Sequence, residues 1–312
     1  MDELFLSVVV CTYNRVDFLK KCLESLLQQR NAPSYEIIIV DNNSNDSTAS
    51  FVHSYSDQSK LPVRYIFEPV QGLSKARNSG VKVARGKFVA FIDDDATASE
   101  DWVHAIEEGA TSFPEFAVQS GPVRGNFEIP KPAWLSSKID FAISIGDFPN
   151  EFREKRAGEP VFGGNMAIRH DVFDQIGGFL ETLGRVGTNL LAAEEVEYCE
   201  RLSQNKYIIL NNPKMEIRHW IPKSRLVKFY VRNRMYWNGR SIAVWDRLRR
   251  RPVILRALGR IFYTIPRDGI GMVLRWTRED ERFYYSCLLK KHIGYLSQVY
   301  EMITRPTKPG EI

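Results

Sequence analysis

The chain opens on two alternating patterns. Short, nearly continuous apolar runs at residues 4–11, 36–40, 63–67 and 87–92 are rich in β-branched side chains and bounded by Gly, Asn, Asp or Ser. Runs of this kind predict strands buried on both faces. Between the first two, Phe18, Leu19, Cys22, Leu23, Leu26 and Leu27 recur at helical spacing within residues 18–29. A second helix is predicted over 47–55 with Asn45 or Asp46 as N-cap, a third from Ser74 to about residue 84, and a fourth over 100–113 capped by Ser99. Strand and helix alternating through short links predict a doubly wound α/β fold with a mostly parallel sheet flanked by helices.

From 124 to 160 the period is lost among Pro, Gly and aromatic residues. A long irregular stretch inside a compact domain is often a functional loop. Order resumes at 162–169. A helix over 171–176 is stopped by Gly177-Gly178-Phe179. A helix from Glu194 to about residue 204 follows, then strands at 207–210 and 215–220, then long helical patterns. No internal repeat or low-complexity tract is visible.

Composition sharpens this. Hydrophobic residues make up 44% of the 312, enough for a sizeable core, and charged residues 26%, ordinary for a soluble protein. Charge is uneven. Residues 247–312 carry 14 Lys+Arg and 6 Asp+Glu, a net of +8, whereas the rest has 43−14=29 against 38−6=32, a net of −3. A slightly acidic body and a basic tail without a known binding module argue against a nucleic-acid partner. Cys11, Cys22, Cys199 and Cys287 have no metal-type spacing. The first three fall in apolar patterns and are expected to be buried free thiols of a reducing compartment, so a cytoplasmic protein is expected. The acidic start Met1-Asp2-Glu3 does not resemble a signal peptide. No run approaches the ~18 uninterrupted apolar residues of a membrane span.

Asp93-Asp94-Asp95 ends the apolar run 87–92. Adjacent like charges at the end of a buried strand are costly unless a cation neutralises them. Ligands of open α/β sheets sit outside the carboxyl ends of the strands. Oxygen ligands there suit Mg2+ or Mn2+ shared with a substrate phosphate. A solvated acidic loop tip is the alternative. The turn Thr12-Tyr13-Asn14-Arg15 and Asp41 are expected at the same edge, with Arg77 in the following helix. Tyr13, Asp41 and Arg77 together could hold a nucleobase. Separately, Asp41 could begin a turn and Arg77 could lie on a surface. Glu194-Glu195 at a helix start could be there for the helix dipole or could supply a general base. His219 could be structural, or a neutral imidazole completing a metal shell.

These residues, in this order, resemble the family-2 inverting glycosyltransferases of the GT-A fold. The matching pieces are Val8-Val9-Val10-Cys11-Thr12-Tyr13-Asn14-Arg15, Val40-Asp41-Asn42-Asn43-Ser44-Asn45-Asp46-Ser47-Thr48, Gly72-Leu73-Ser74-Lys75-Ala76-Arg77-Asn78-Ser79-Gly80, Phe91-Ile92-Asp93-Asp94-Asp95, Gly163-Gly164-Asn165, Gly177-Gly178-Phe179, and Glu194-Glu195 with Arg201-Leu202.

The resemblance implies transfer of a sugar from a nucleotide-diphosphate donor, a UDP-sugar being favoured, to a hydroxyl of a glycan or lipid-linked acceptor. It implies that Thr12, Tyr13, Asn14, Arg15, Asp41, Arg77, Asp93 and Asp94 bind the nucleotide. Asp95, with Asp93 and His219, would hold Mg2+ or Mn2+. Gly163, Gly164 and Asn165 would lie on the sugar and acceptor side, joined by Trp134 from the aromatic loop (Trp134, Phe141, Phe148, Phe152), although those aromatics could equally pack the loop onto the body. Where the family usually has Glu-Asp, this chain has Glu-Glu, and Ala193 replaces a common Gly. The match points to Glu195 as base, with Glu194 left open.

The implied domain plan is a catalytic domain over 1–245 (nucleotide-binding half 1–123, acceptor half 124–245) and a basic amphipathic helical tail over 246–312. The tail mixes Arg247-Leu248-Arg249-Arg250-Arg251 with apolar and aromatic residues over 253–276. That pattern suits a helix on an anionic bilayer; a packed appendage or a protein-binding helix are the alternatives. Two rival activities are a nucleotide-sugar-binding protein without catalysis and a sugar-1-phosphate nucleotidyltransferase. The latter needs a Gly-rich phosphate loop that Thr12-Tyr13-Asn14-Arg15 does not provide.

Overall fold

The computed structural model describes residues 4–305 except 58, 60, 147, 157, 158, 186, 188 and 189. The first half runs β1 (Leu6–Thr12), α1 (Val16–Leu27), β2 (Tyr35–Asp41), α2 (Thr48–Ser56), β3 (Val63–Phe67), α3 (Leu73–Val83), β4 (Phe88–Asp93), β5 (Ala96–Ala98), α4 (Trp102–Ser112), β6 (Val118–Ser120) and β7 (Val123–Phe127). A 3-10 helix (Ser137–Ile143), β8 (Arg153–Glu154), β9 (Asn165–Arg169), α5 (His170–Ile176), α6 (Glu194–Gln204), β10 (Ile209–Asn211) and β11 (Ile217–Ile221) follow. The rest is helical: α7 (Lys228–Leu248), α8 (Val253–Gly259), α9 (Ile265–Leu274) and α10 (Glu279–Thr304).

Two compact units emerge. The first comprises the chain up to Asn126, Ile145–Glu181 and Glu194–Trp220; the second comprises Phe127–Ser144, Thr182–Ala193 and the chain from Ile221 on. The expected boundary at 245 instead falls inside α7, because the helix continues unbroken through Trp245 to Leu248. The tail beyond residue 305 lies outside the described residues.

The first unit is built on an eight-stranded sheet of order β3-β2-β1-β4-β9-β6-β10-β8. The four strands β3, β2, β1 and β4 are parallel. β9 is antiparallel to both β4 and β6, and β8 to β10. The sheet is therefore mixed: the four predicted apolar runs form one parallel block, and β6 and β10 pair parallel beyond β9. β2 is buried at every position, as strands covered by helices on both faces must be. α1 buries Leu19, Cys22, Leu23 and Leu26 along one stripe. Each leucine contributes at most about 1.5–3 kcal/mol. On the α3 side, Val9, Val40, Phe91, Met166, Phe173, Phe179 and Tyr198 form one cluster.

Some local expectations shift. The fourth helix starts at Trp102 with Asp101 as cap, not at Glu100 after Ser99. The strands expected at 207–210 and 215–220 form at Ile209–Asn211 and Ile217–Ile221. Cys22 and Cys287 are buried, but Cys11 and Cys199 are only half-buried; all four are free thiols.

In the second unit α7 and α10 cross in close contact. A Cβ on Gly239 would stand 1.9 Å from the Lys291 carbonyl oxygen, and one on Gly294 1.9 Å from that of Tyr236. Only glycine permits backbones to approach so closely. Two buried carboxylates tie the shorter helices in. Asp246 accepts bonds from Arg251, Arg256 and Tyr295, and Asp268 from His292.

Candidate active site at the carboxyl edge of the sheet

In the sheet register Thr12 pairs with Asp41 and Asp41 with Phe67, while Cys11 pairs with Asp93. The ends of four parallel strands therefore share one edge, as predicted. The triplet divides its work there. Asp94 is buried, accepting a 2.8 Å bond from the Thr12 hydroxyl and a 3.3 Å bond from Arg15 Nη1. Burial pushes its carboxyl up to about 7, against the opposing pull of Arg15. The same Arg15 nitrogen lies 3.0 Å from Asp95 Oδ2.

Asp95 Oδ1 is 3.1 Å from His219 Nε2. The reason is a strand pairing: β5, immediately after the triplet, pairs antiparallel with β11 and sets Ala96 opposite His219. Trp220 N–H adds a 2.8 Å bond to the Asp95 carbonyl. Asp95 and His219 thus bring a carboxylate oxygen and an imidazole nitrogen side by side, donors that a divalent cation such as Mn2+ would accept. Among the described residues no three His, Cys, Asp or Glu groups close on one point. A cation here would thus take further ligands from water or from a bound phosphate.

Asp93 Oδ1 lies 3.7 Å from Arg77 Nη2. Gly164 lies against it, and a Cβ there would be 2.4 Å from Asp93 Oδ2. A Cβ on Gly163 would likewise meet Arg77 Nη1 at 2.8 Å. Arg77 is buried between the rings of Phe91 and Phe179, at 5.9 and 5.6 Å from their centroids. Its Nη1 donates to Glu194 Oε1 at 2.9 Å. A buried guanidinium needs a counter-charge, and Glu194 and Asp93 supply it.

Glu194 and Glu195 open α6. Glu195 is pushed up to about 8, by burial first and by the Glu194 charge second. Ala193, just before them, has φ 88°, a left-handed conformation that glycine adopts without strain.

Asp41 is buried, its Oδ1 accepting the Ser44 N–H and its Oδ2 the Tyr65 hydroxyl, both at 2.8 Å. Asn14, at φ 52°, pins the first turn to the second loop: its N–H donates to Ser44 Oγ and its side-chain oxygen accepts from Asn45 N–H. Tyr13 is exposed. Phe67, opposite Asp41 in register, is half-exposed at the end of β3 and was not singled out in the sequence. The signal available was an aromatic residue ending an otherwise apolar strand run, level with Asp41.

Two other expectations change. Asn165 is fully buried, with all its amide capacity engaged. Its oxygen accepts from Trp102 Nε1, and its nitrogen donates to the carbonyls of Pro122 and Met215. It braces the sheet instead of facing a sugar. Trp134 belongs to the second unit, edge-on to Phe283 at 4.7 Å. Of the other loop aromatics, Phe148 packs on Phe162 and Phe152 stacks on Phe113.

A sequence profile described as Glycosyl transferase family 2 matches residues 7–177. The chain is 29% identical over 259 residues to the glucosyl-dolichyl phosphate glucuronosyltransferase of Haloferax volcanii, covering 78% of this chain and 77% of that protein. It is 27% identical over 246 residues to the succinoglycan biosynthesis protein ExoM of Rhizobium meliloti, covering 77% and 74%. Among solved structures, a mannosyltransferase from Pyrobaculum calidifontis in complex with GDP-Man and Mn2+ superposes with a TM-score of 0.63 at 15% identity, covering 97% of this chain and 88% of that one. GalNAc-T7 with UDP, GalNAc and Mn2+ superposes at 0.54 and 17% identity, covering 78% of this chain and 51% of that one. Both show the same fold.

Proposed function

Because the chain belongs to glycosyl transferase family 2, we propose that this glycosyltransferase moves a sugar from a nucleotide-diphosphate donor, a UDP-sugar by preference, to a hydroxyl of a glycan or lipid-linked acceptor, with inversion. The observation that carries the proposal is one strand edge on which the Asp93–Asp95 triplet and His219 stand on one side of Arg77 and the Glu194–Glu195 pair on the other. The two relatives, a glucosyl-dolichyl phosphate glucuronosyltransferase and a succinoglycan biosynthesis protein, support the acceptor class.

Asp95, His219 and Asp93 are the residues that would hold Mg2+ or Mn2+, which when bound offsets charge on a leaving diphosphate. Asp41, with Thr12, Tyr13, Asn14 and Arg15 around it, would receive the nucleoside. Arg77 holds Glu194 in place through its 2.9 Å bond, and Glu195 takes the proton of the acceptor hydroxyl. The acceptor oxygen forms its bond to the anomeric carbon as the bond to the diphosphate breaks, and the proton ends on the Glu195 carboxylate. One displacement inverts the anomeric centre.

A panel of UDP-, GDP- and dTDP-sugars with Mn2+ in a thermal-shift assay tests the donor. UDP-sugars should raise Tm most, and Asp95→Ala should remove the metal-dependent part. If no nucleotide sugar raises Tm, the proposal fails. A binding protein without catalysis would bind the donor yet not hydrolyse it with Mn2+. A cytoplasmic location is part of the same reading, as is an anionic membrane meeting the basic tail. No helix among the described residues is long and apolar enough to cross a membrane.

A further inference from the structure

Helices α8 and α9 bury little of their apolar surface: Val253 and Ala257 join the cluster of Ala243, Tyr295 and Val299. A helix of a water-soluble protein buries its apolar stripe and exposes its polar face. Here the inward side carries charge. Asp268 is buried and 2.9 Å from His292 Nε2 of α10, and Arg260 Nη1 donates to His292 Nδ1, also at 2.9 Å. The outward side is apolar. Of 22 large hydrophobic residues that are exposed among the described residues, 10 lie between Ile254 and Trp276.

The two helices are joined by a π turn, Arg260–Thr264, in which Ile265 N–H bonds to the Arg260 carbonyl five residues back. Such a turn holds one residue more than the α-helix, so it rotates everything after it by about 100°. Without that rotation Ile270, Val273 and Leu274 would be displaced about 90° around the axis from Leu255, Leu258 and Phe262. With it, all six fall within an arc about 100° wide. Leu255, Phe262, Val273 and Leu274 are 66%, 77%, 64% and 75% exposed.

Charge says what covers this face. Residues 246–281 hold nine Arg against five Asp and Glu, 9−5=+4. Five of the nine lie at the ends of the stripe, Arg249–Arg251 before it and Arg275 and Arg278 after it, beside exposed Trp276. An apolar stripe with an aromatic and basic flanks suits the boundary between headgroups and acyl chains of an anionic bilayer.

We infer that α8, the π turn and α9 form one membrane-inserting surface that buries Leu255, Leu258, Phe262, Ile270, Val273 and Leu274 among acyl chains. This rests on the proposal that the basic tail meets an anionic membrane, and adds that apolar insertion, not charge alone, holds it there.

Flotation of the full chain with phosphatidylcholine vesicles, with and without phosphatidylglycerol, at low and high salt tests this. The chain should float with the anionic vesicles and retain measurable binding at high salt. Leu255→Asp and Val273→Asp, both exposed and so compatible with folding, should each weaken binding about tenfold or more. Phe229→Asp, 80% exposed on α7, should not. Binding that vanishes in salt and ignores both substitutions would keep the charged tail and overturn insertion. Loss with Leu255→Asp but not Val273→Asp would overturn the shared face. Absence of all vesicle binding would overturn the membrane reading itself. A dimer in light scattering that Leu255→Asp converts to monomer, without vesicle binding, would assign the face to a second copy. Nucleotide-sugar binding, measured in parallel, stays unchanged in every case, so transferase function is judged separately.

Discussion

Arg77 donates to Glu194 across 2.9 Å with both side chains buried, and so joins the acid pair that opens α6 to the strand edge that carries Asp93. Breaking a buried ion pair on one side leaves a charge without its partner, which costs about 3–5 kcal/mol. Arg77→Met should therefore lower stability by about that amount. Arg77→Met combined with Glu194→Gln should recover part of it, because both charges are then gone. Urea unfolding of the three proteins measures this. Equal loss in the single and double variants would mean that packing between Phe91 and Phe179, not charge, is what Arg77 contributes.

Gly164 has no room for a side chain, since its Cβ would stand 2.4 Å from the Asp93 carboxylate. Gly164→Ala should displace that carboxylate and weaken Mn2+-dependent nucleotide binding about tenfold or more, a change of about 1.4 kcal/mol. Calorimetric titration with UDP, with and without Mn2+, reads it. Unchanged affinity would remove Asp93 from the metal and nucleotide site.

Glu195 is pushed up to about 8. Below that pH the carboxyl holds its proton and cannot accept another, so kcat should rise with pH through about 8. Glu194→Gln removes the neighbouring negative charge while Arg77 remains, so the rising limb should move to lower pH. Glu195→Gln should bind nucleotide normally and lose most turnover. A flat pH profile in the unsubstituted enzyme, or full kcat in Glu195→Gln, would sink the assignment of this base.

Ala193 sits at φ 88° directly before the acid pair. Left-handed backbone costs a non-glycine residue about 1–2 kcal/mol, part of which glycine gives back through unfolded-chain entropy. Ala193→Gly should raise stability by about 1 kcal/mol, seen as a higher Tm. A fall in Tm would show that the alanine methyl makes a contact worth more than the strain.

Much of the sheet edge was legible in the chain. β1, β2, β3 and β4 formed where apolar, β-branched runs predicted them, with Thr12, Asp41 and the triplet at their ends. Helix α6 begins at Glu194 as expected. What escaped was short or remote. β5 is three residues long, too brief for any period, yet its pairing with β11 carries His219 to Asp95. Asn165 stood in a glycine-rich segment resembling an acceptor loop, and nothing local revealed that Trp102, Pro122 and Met215 would use up its amide. The tail's mixture of Arg and apolar residues announced an amphipathic helix without saying which side would face out.

Local sequence determined the order of strands and helices, the acidic edge and the basic tail, because periodicity and charge act over a few neighbouring residues. Only tertiary structure decided that Arg77 meets Glu194, that His219 meets Asp95, and that Asp268 lies inward while Leu255 and Phe262 lie outward. Each of those outcomes depends on which distant group satisfies a buried charge or hydrogen bond, and that partner is chosen by the folded chain as a whole.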